Sequence, residues 1–139
     1  MGAFDALDIS GSGLSAQRAR MERSASNIAN AQTTRTEAGG PYRRKTVVFA
    51  ESLQRASLGQ PTRPAGVRVD ATVEDTTPFP RVYQPSHPDA DAQGFLLLPN
   101  VDTVKEMADL SMASRAYEAD IAAFSATKMM LLKALDIGK

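Results

Sequence analysis

Residues 4–31 hold no proline, and the apolar positions Leu7, Leu14, Met21 and Ile28 recur every seven residues, with Phe4 and Ala25 three before the first and last. Side chains seven apart share one face of a helix, so the spacing predicts an amphipathic helix over this segment. Gly11 and Gly13 each cost about 1 kcal/mol relative to alanine inside a helix, which predicts a start or a bend near residues 10–13. Thr33, Thr34, Thr36, Gly39, Gly40 and Pro41 then predict a loop.

The middle of the chain changes period. The β-branched and aromatic run TVVF predicts a short strand over 45–51, with FAESLQRA turning helical just after it. Over 66–74, Val67, Val69, Ala71 and Val73 alternate with Arg68, Asp70, Thr72 and Glu74, the pattern of a half-buried strand. Pro78 and Pro80 confine the next segment to a sheet edge, with brief pairing available at 81–84. Pro85, Pro88 and Gly94 bracket a polar loop ahead of FLLLP.

From Val101 to Ile137 there is neither glycine nor proline, which predicts a helix of about 55 Å at 1.5 Å rise per residue. Asn100 is placed to cap it, with Thr103 and Glu106 as an alternative capping box. Its seam runs Met107, Leu110, Ser114, Tyr117, Ile121, Phe124, Lys128, Leu131 and Leu135 in steps of three and four, flanked by many alanines. The fold class is therefore α+β: long helices at both ends, able to pack as a pair, around a small β-rich insert. Domain limits fall at 1–35, 36–99 and 100–139.

Composition sharpens the picture. Leu, Ile, Val and Phe together make up only about a fifth of the 139 residues, a thin supply for a self-sufficient core. A two-helix arm leaves the outer faces of both seams partly wet, which favours either dynamic ends in the monomer or burial between subunits. The chain carries 16 basic and 16 acidic residues, spread without a basic block, so nucleic acid is not an expected partner. No apolar run is long enough to span a bilayer, so direct membrane insertion is not expected. MGAFDALDIS has two aspartates and no basic region before an apolar run, unlike a cleaved secretory signal.

Candidate chemistry is sparse. The absence of cysteine removes thiolate metal sites, disulfides and cysteine nucleophiles. His87, the single histidine, lies in SHPDADAQG beside Asp89 and Asp91; two carboxylates and an imidazole are a conceivable metal set, but such triples are common in solvated connectors. GSG at 11–13 lacks the preceding strand of a phosphate loop. Arg43, Arg44 and Lys45 read best as the charged start of a strand. Asn27 and Asn30 stand where a helix ends, a place asparagine tolerates. No catalytic, cofactor-binding or metal residue is assigned, and no cofactor; an enzyme is not expected. A soluble adaptor whose helical pair binds one partner helix is the alternative from another class.

Three blocks carry a resemblance. SGLSAQRARMERSASNIANAQTTRT at 12–36, GGPYRRKTVVF at 39–49 and residues 86–139, with HPDADAQGF and ASRAYEADIAAF, resemble the bacterial flagellar rod and hook axial proteins. Residues 52–80 do not add to it. The resemblance implies a structural rod subunit of the basal body, exported by the flagellar type III apparatus without a cleaved signal and located in the periplasm. It implies that the terminal helices form an inner tubular layer and the central part an outer one. Implied partners are further copies of itself, proximal and distal rod proteins, the rod-base adaptor protein and the export apparatus. Implied packing positions are Leu7, Leu14, Met21, Ile28, Leu110, Tyr117, Ile121, Phe124, Leu131 and Leu135; Asn27, Asn30, Asn100 and Tyr117 belong to the shared strings.

Overall fold

In the computed structural model, residues 3–54 and 63–137 are described. Helix α1 spans Ala3–Ala29, strands β1 and β2 span Lys45–Gln54 and Arg63–Glu74, β3 and β4 span Arg81–Tyr83 and Phe95–Leu97, and helix α2 spans Thr103–Ile137. The class is α+β. β1 and β2 form a long antiparallel ribbon, and β3 and β4 a short second one.

The helices lie antiparallel. Asn27 meets Glu106, Arg20 meets Asp109, Gly13 faces Asp120, and Ala6 lines one groove with Thr127 and Leu131. The α1 side of this contact is thus Ala6, Gly13, Arg20 and Asn27, a seven-residue repeat offset by one position from Leu7, Leu14, Met21 and Ile28. Those four apolar side chains are half-buried.

On α2 the line with least exposure is Glu106, Leu110, Ala113, Tyr117, Asp120, Phe124, Thr127 and Leu131, in regular steps of four and three. Of the seam residues expected from the sequence, Leu110, Ser114, Tyr117, Phe124 and Leu131 are half-buried. Met107, Ile121 and Leu135 are 58, 43 and 67% exposed, and Lys128 is exposed. The sequence pattern selects apolar positions, whereas the fold places the polar Glu106, Asp120 and Thr127 on the contact line.

Four local expectations are corrected. α1 runs without interruption through Gly11 and Gly13, because this stretch is packed at Gly13 and at Ser12: a Cβ on Gly13 would stand 3.2 Å from Asp120 Oδ2, and Ser12 Oγ accepts the Val67 N–H at 3.0 Å. Residues 49–54, expected to turn helical, continue β1, since they pair with β2 from Val69 to Arg63 across two bulges; the rest of that expected helical stretch lies outside the described residues. β2 is half-buried on its valine face only at Val67, beside α1; further along, Val69 and Val73 are 43 and 47% exposed, since the ribbon is two-stranded. Finally, Asp102 caps α2, its Oδ1 accepting the N–H groups of Val104 at 3.0 Å and Lys105 at 3.2 Å. Asn100 and Glu106 are drawn into other bonds.

The core is correspondingly slight. Ala16, Leu96 and Ala113 are the buried hydrophobic residues among those described, while Ser24, Asn27 and Glu106 are the buried polar ones.

Candidate functional site: the polar junction between helices and insert

The residues that join the two helices to the β insert meet where the end of α1, the start of β1 and the start of α2 converge. Asn27 is 1% exposed and uses its amide fully: Nδ2 donates to Lys45 O at 2.9 Å and Glu106 Oε2 at 3.1 Å, and Oδ1 accepts the Lys45 N–H and the Tyr42 hydroxyl, both at 3.0 Å. One side chain thereby holds α1, β1 and α2 together. Asn27 stands in the last turn of α1 on the face turned inward, so it does not end the helix. Asn30 does: its Nδ2 donates to Ser26 O at 2.9 Å and its Oδ1 accepts the Thr33 hydroxyl at 3.2 Å.

Glu106 is equally buried, and Arg44 Nε donates to its Oε1 at 2.6 Å. Arg44 also approaches Asp75 at 3.5 Å and Asp109 at 3.8 Å. Burial pulls the Arg44 pKa down, but the hydrogen bond and charge of Glu106, with Asp75 and Asp109, outweigh it and leave the value raised. A buried carboxylate is tolerable only with such pairing. Glu106 is satisfied by Arg44 and Asn27 together.

Asn100 completes the junction from the other side. Its Oδ1 accepts the Arg44 N–H at 2.8 Å, and its Nδ2 donates to the carbonyls of Asp75 and Thr77, each at 3.1 Å. Arg43 donates to Asp75 O at 2.8 Å and stacks over Phe79 at 4.3 Å. Arg43, Arg44 and Lys45, read in the sequence as the charged start of a strand, are therefore the pins by which that strand is held.

The loop at 85–94 is built by its own acids. Asp91 Oδ1 accepts the N–H groups of Gln93 and Phe95, each at 2.9 Å, and Arg81 donates to Asp91 Oδ2 at 3.0 Å. These bonds, the Phe95 N–H first, hold the Asp91 carboxyl below its usual range. Asp89 accepts the Thr34 hydroxyl at 2.8 Å, tying this loop to the end of α1. His87 Nδ1 accepts the Asp89 N–H at 3.1 Å, a turn-forming role. Among the described residues no group of three or more metal-ligating side chains converges.

Sequence reasoning placed Asn27 and Asn100 among the notable residues but missed Tyr42, Arg44, Asp75 and Glu106 as their partners, and Asp109 as a further partner of Arg44. The available signal was Glu106 itself, a charge standing on the same three-four line as Leu110, Ala113 and Tyr117.

Two terminal helices, a β insert and a polar clasp whose charges are spent on one another define a structural axial protein. The flagella basal body rod protein family matches residues 7–35, and the C-terminal family of the flagellar basal body rod FlgEFG proteins matches residues 92–137. The chain belongs to the FlgC family of flagellar basal-body rod proteins. It is 45% identical to flagellar basal-body rod protein FlgC of Bacillus subtilis (strain 168), over the whole of both chains. It is 42% identical to that of Salmonella typhimurium (strain LT2), again over both whole chains, and 40% identical to that of Borreliella burgdorferi over 99% of this chain and 98% of the relative. These relatives are rod proteins, and this chain is a structural rod subunit.

Proposed function

We propose that this chain polymerises through its terminal helices to form part of the periplasmic drive shaft that carries torque through the basal body, without a catalytic group of its own. It enters the flagellar type III export apparatus unfolded and without a cleaved signal. Segments 1–35 and 100–139 form the inner layer of the tube and 36–99 the outer one. Neighbours are further copies and other rod subunits, proximal and distal, with the rod-base adaptor protein at the lower end.

The carrying observation is the apolar surface left at the free end of the helix pair. Met129, Met130, Leu132 and Leu135 are 59, 64, 54 and 67% exposed, and beside them lies an apolar groove of about 350 Å³ lined by Ala6, Thr127, Met130, Leu131 and Ala134. Each such side chain gains about 1.5–3 kcal/mol on burial, which a neighbouring subunit supplies. Unlike faces meeting head to side generate an open helical tube where the rotation between neighbours does not close on itself. The clasp at Asn27, Arg44 and Glu106 then transmits force from the inner helices to the insert.

Incorporation is the test. Leu14→Asp and Phe124→Asp should abolish recovery of the chain in purified basal bodies while the β3–β4 unit retains its tertiary contacts by nuclear magnetic resonance. Normal incorporation of either variant would overturn the assignment of the helices as packing surfaces.

A further inference from the structure

Beside the clasp, a cleft of about 260 Å³ opens between α1, β1 and the start of α2. Four cations line it, Arg20, Arg23, Arg44 and Lys45, against the carboxylates of Glu106 and Asp109. Three of the four are engaged: Arg20 with Asp109 at 3.2 Å, Arg44 with Glu106 at 2.6 Å, and Lys45 with Glu74 at 3.6 Å. Arg23 is half-buried and makes neither an ion pair nor a hydrogen bond among the described residues. Ser24, next to it on α1, lines the same cleft and is only 5% exposed, and its hydroxyl likewise has no partner among the described residues. Buried polar groups in folded proteins are ordinarily paired. Two neighbouring donors left over, one of them charged, make a place for an acceptor that the chain itself does not supply.

We propose that this cleft binds one oxyanion, held by the Arg23 guanidinium and the Ser24 hydroxyl. The chemistry required is a compact, acceptor-only group, which inorganic phosphate in solution and a carboxylate carried by another protein share. The guanidinium presents a planar fork that matches two oxygens of either group, and the hydroxyl donates to one of them. The carboxylates already in the cleft do not take this place: Glu106 is filled by Arg44 and Asn27, and Asp109 by Arg20. Their pairing leaves positive charge in excess, which draws in an anion and opposes a metal cation at the same point. Lys45 adds to that field, since its contact with Glu74 lies at the surface, where ion pairs are weak.

The purified full chain is titrated with inorganic phosphate at constant ionic strength, chloride being the balancing anion, and followed by nuclear magnetic resonance of its backbone amides and arginine side chains. A saturable shift centred on Arg23, Ser24 and the first residues of β1 is expected. Arg23→Gln should weaken binding about tenfold, the scale of one charge-assisted hydrogen bond, and Ser24→Ala by less. Arg23→Lys keeps the charge without the fork and should fall between Arg23→Gln and the unsubstituted chain. Neither Arg23 nor Ser24 holds another described side chain in place, so circular dichroism should show the same fold in all three variants. The proposal is overturned by the lack of a saturable shift, by a shift spread over the exposed Lys105, Lys128 and Lys133 instead, or by equal binding in Arg23→Gln and the unsubstituted chain. Acetate in the same titration separates the two sources. Phosphate bound about tenfold more tightly than acetate identifies the free ion. Acetate bound as tightly as phosphate identifies a protein carboxylate; that arm alone rests on the rod-subunit reading, and Arg23→Gln should then be recovered in basal bodies about tenfold less. Failure of the titrations on the isolated chain removes the oxyanion site and leaves the rod assignment standing.

Discussion

Asn27 and Glu106 are 79 residues apart in sequence, yet the Asn27 amide donates to the Glu106 carboxylate at 3.1 Å in a position where both are 1% exposed. Each depends on the other. Asn27 also fixes the first residue of β1 through both its N–H and its carbonyl, and Glu106 anchors Arg44 next to it. The clasp therefore joins the two terminal helices to the start of the insert, and the ribbon meets α1 a second time where Ser12 accepts the Val67 N–H.

Removing one member of the buried ion pair should be severe. Glu106→Ala leaves the Arg44 guanidinium without its nearest carboxylate and strands one Asn27 amide donor, at a cost of about 3–5 kcal/mol. A double variant, Glu106→Leu with Arg44→Met, is expected to recover part of that loss. Urea denaturation of the unsubstituted chain, Glu106→Leu, Arg44→Met and the double variant measures the coupling, and additive effects would show that the two side chains are not paired.

Asn27→Leu keeps the volume but loses four hydrogen bonds. The Lys45 N–H and Lys45 carbonyl are then left without their partner, and unsatisfied buried groups cost about 1–3 kcal/mol each. Hydrogen exchange should report fast opening at Lys45 and Tyr42 while the middle of α2 stays protected.

The glycines of α1 and β2 should part company on substitution. Gly66 has a φ of +113°, and a Cβ there would overlap the Ser12 hydroxyl. Gly66→Ala is expected to lower the melting temperature and free the ribbon from α1. Gly11, with nothing within 4 Å, should gain about 1 kcal/mol as alanine, because only backbone entropy is at stake. Differential scanning calorimetry distinguishes the two.

Acid should loosen the insert before the helices. The Thr77 hydroxyl and N–H, with Arg44, hold the Asp75 carboxyl below its ordinary value of 3.8, and the Phe95 N–H does the same for Asp91. A carboxyl with a lowered folded pKa stabilises the fold in full above its unfolded value and loses that contribution as pH falls through the folded one. The melting temperature should therefore be insensitive to these groups above pH 3.8 and fall below it, with a shallower fall in Asp91→Asn.

Much of the secondary structure is legible from spacing alone. The glycine- and proline-free run at the carboxyl end becomes α2 within two residues, and the alternation at 66–74 becomes all but the first three of the 12 residues of β2. The cap is not legible, because Asn100 and Asp102 are both good capping residues; only the neighbouring Arg44 N–H and the carbonyls of Asp75 and Thr77 claim Asn100. The pairing of β1 beyond Glu51 is hidden because LQ and RP carry no strand pattern, and long-range hydrogen bonds supply what local propensity lacks.

By itself the sequence determined that both ends are helical, that the middle is β-rich, and that too few apolar side chains exist to keep the ends dry. Those properties come from local periodicity and composition. Which face of each helix turns inward was decided only by tertiary structure. Next to the apolar repeat of Leu7, Leu14, Met21 and Ile28, the positions Gly13, Arg20 and Asn27 meet Asp120, Asp109 and Glu106 of α2, because a glycine at 13 permits close approach to Asp120 and a buried Glu106 requires Asn27 and Arg44 around it. A charge on a helix can be buried only after its partners, distant in the chain, are in place.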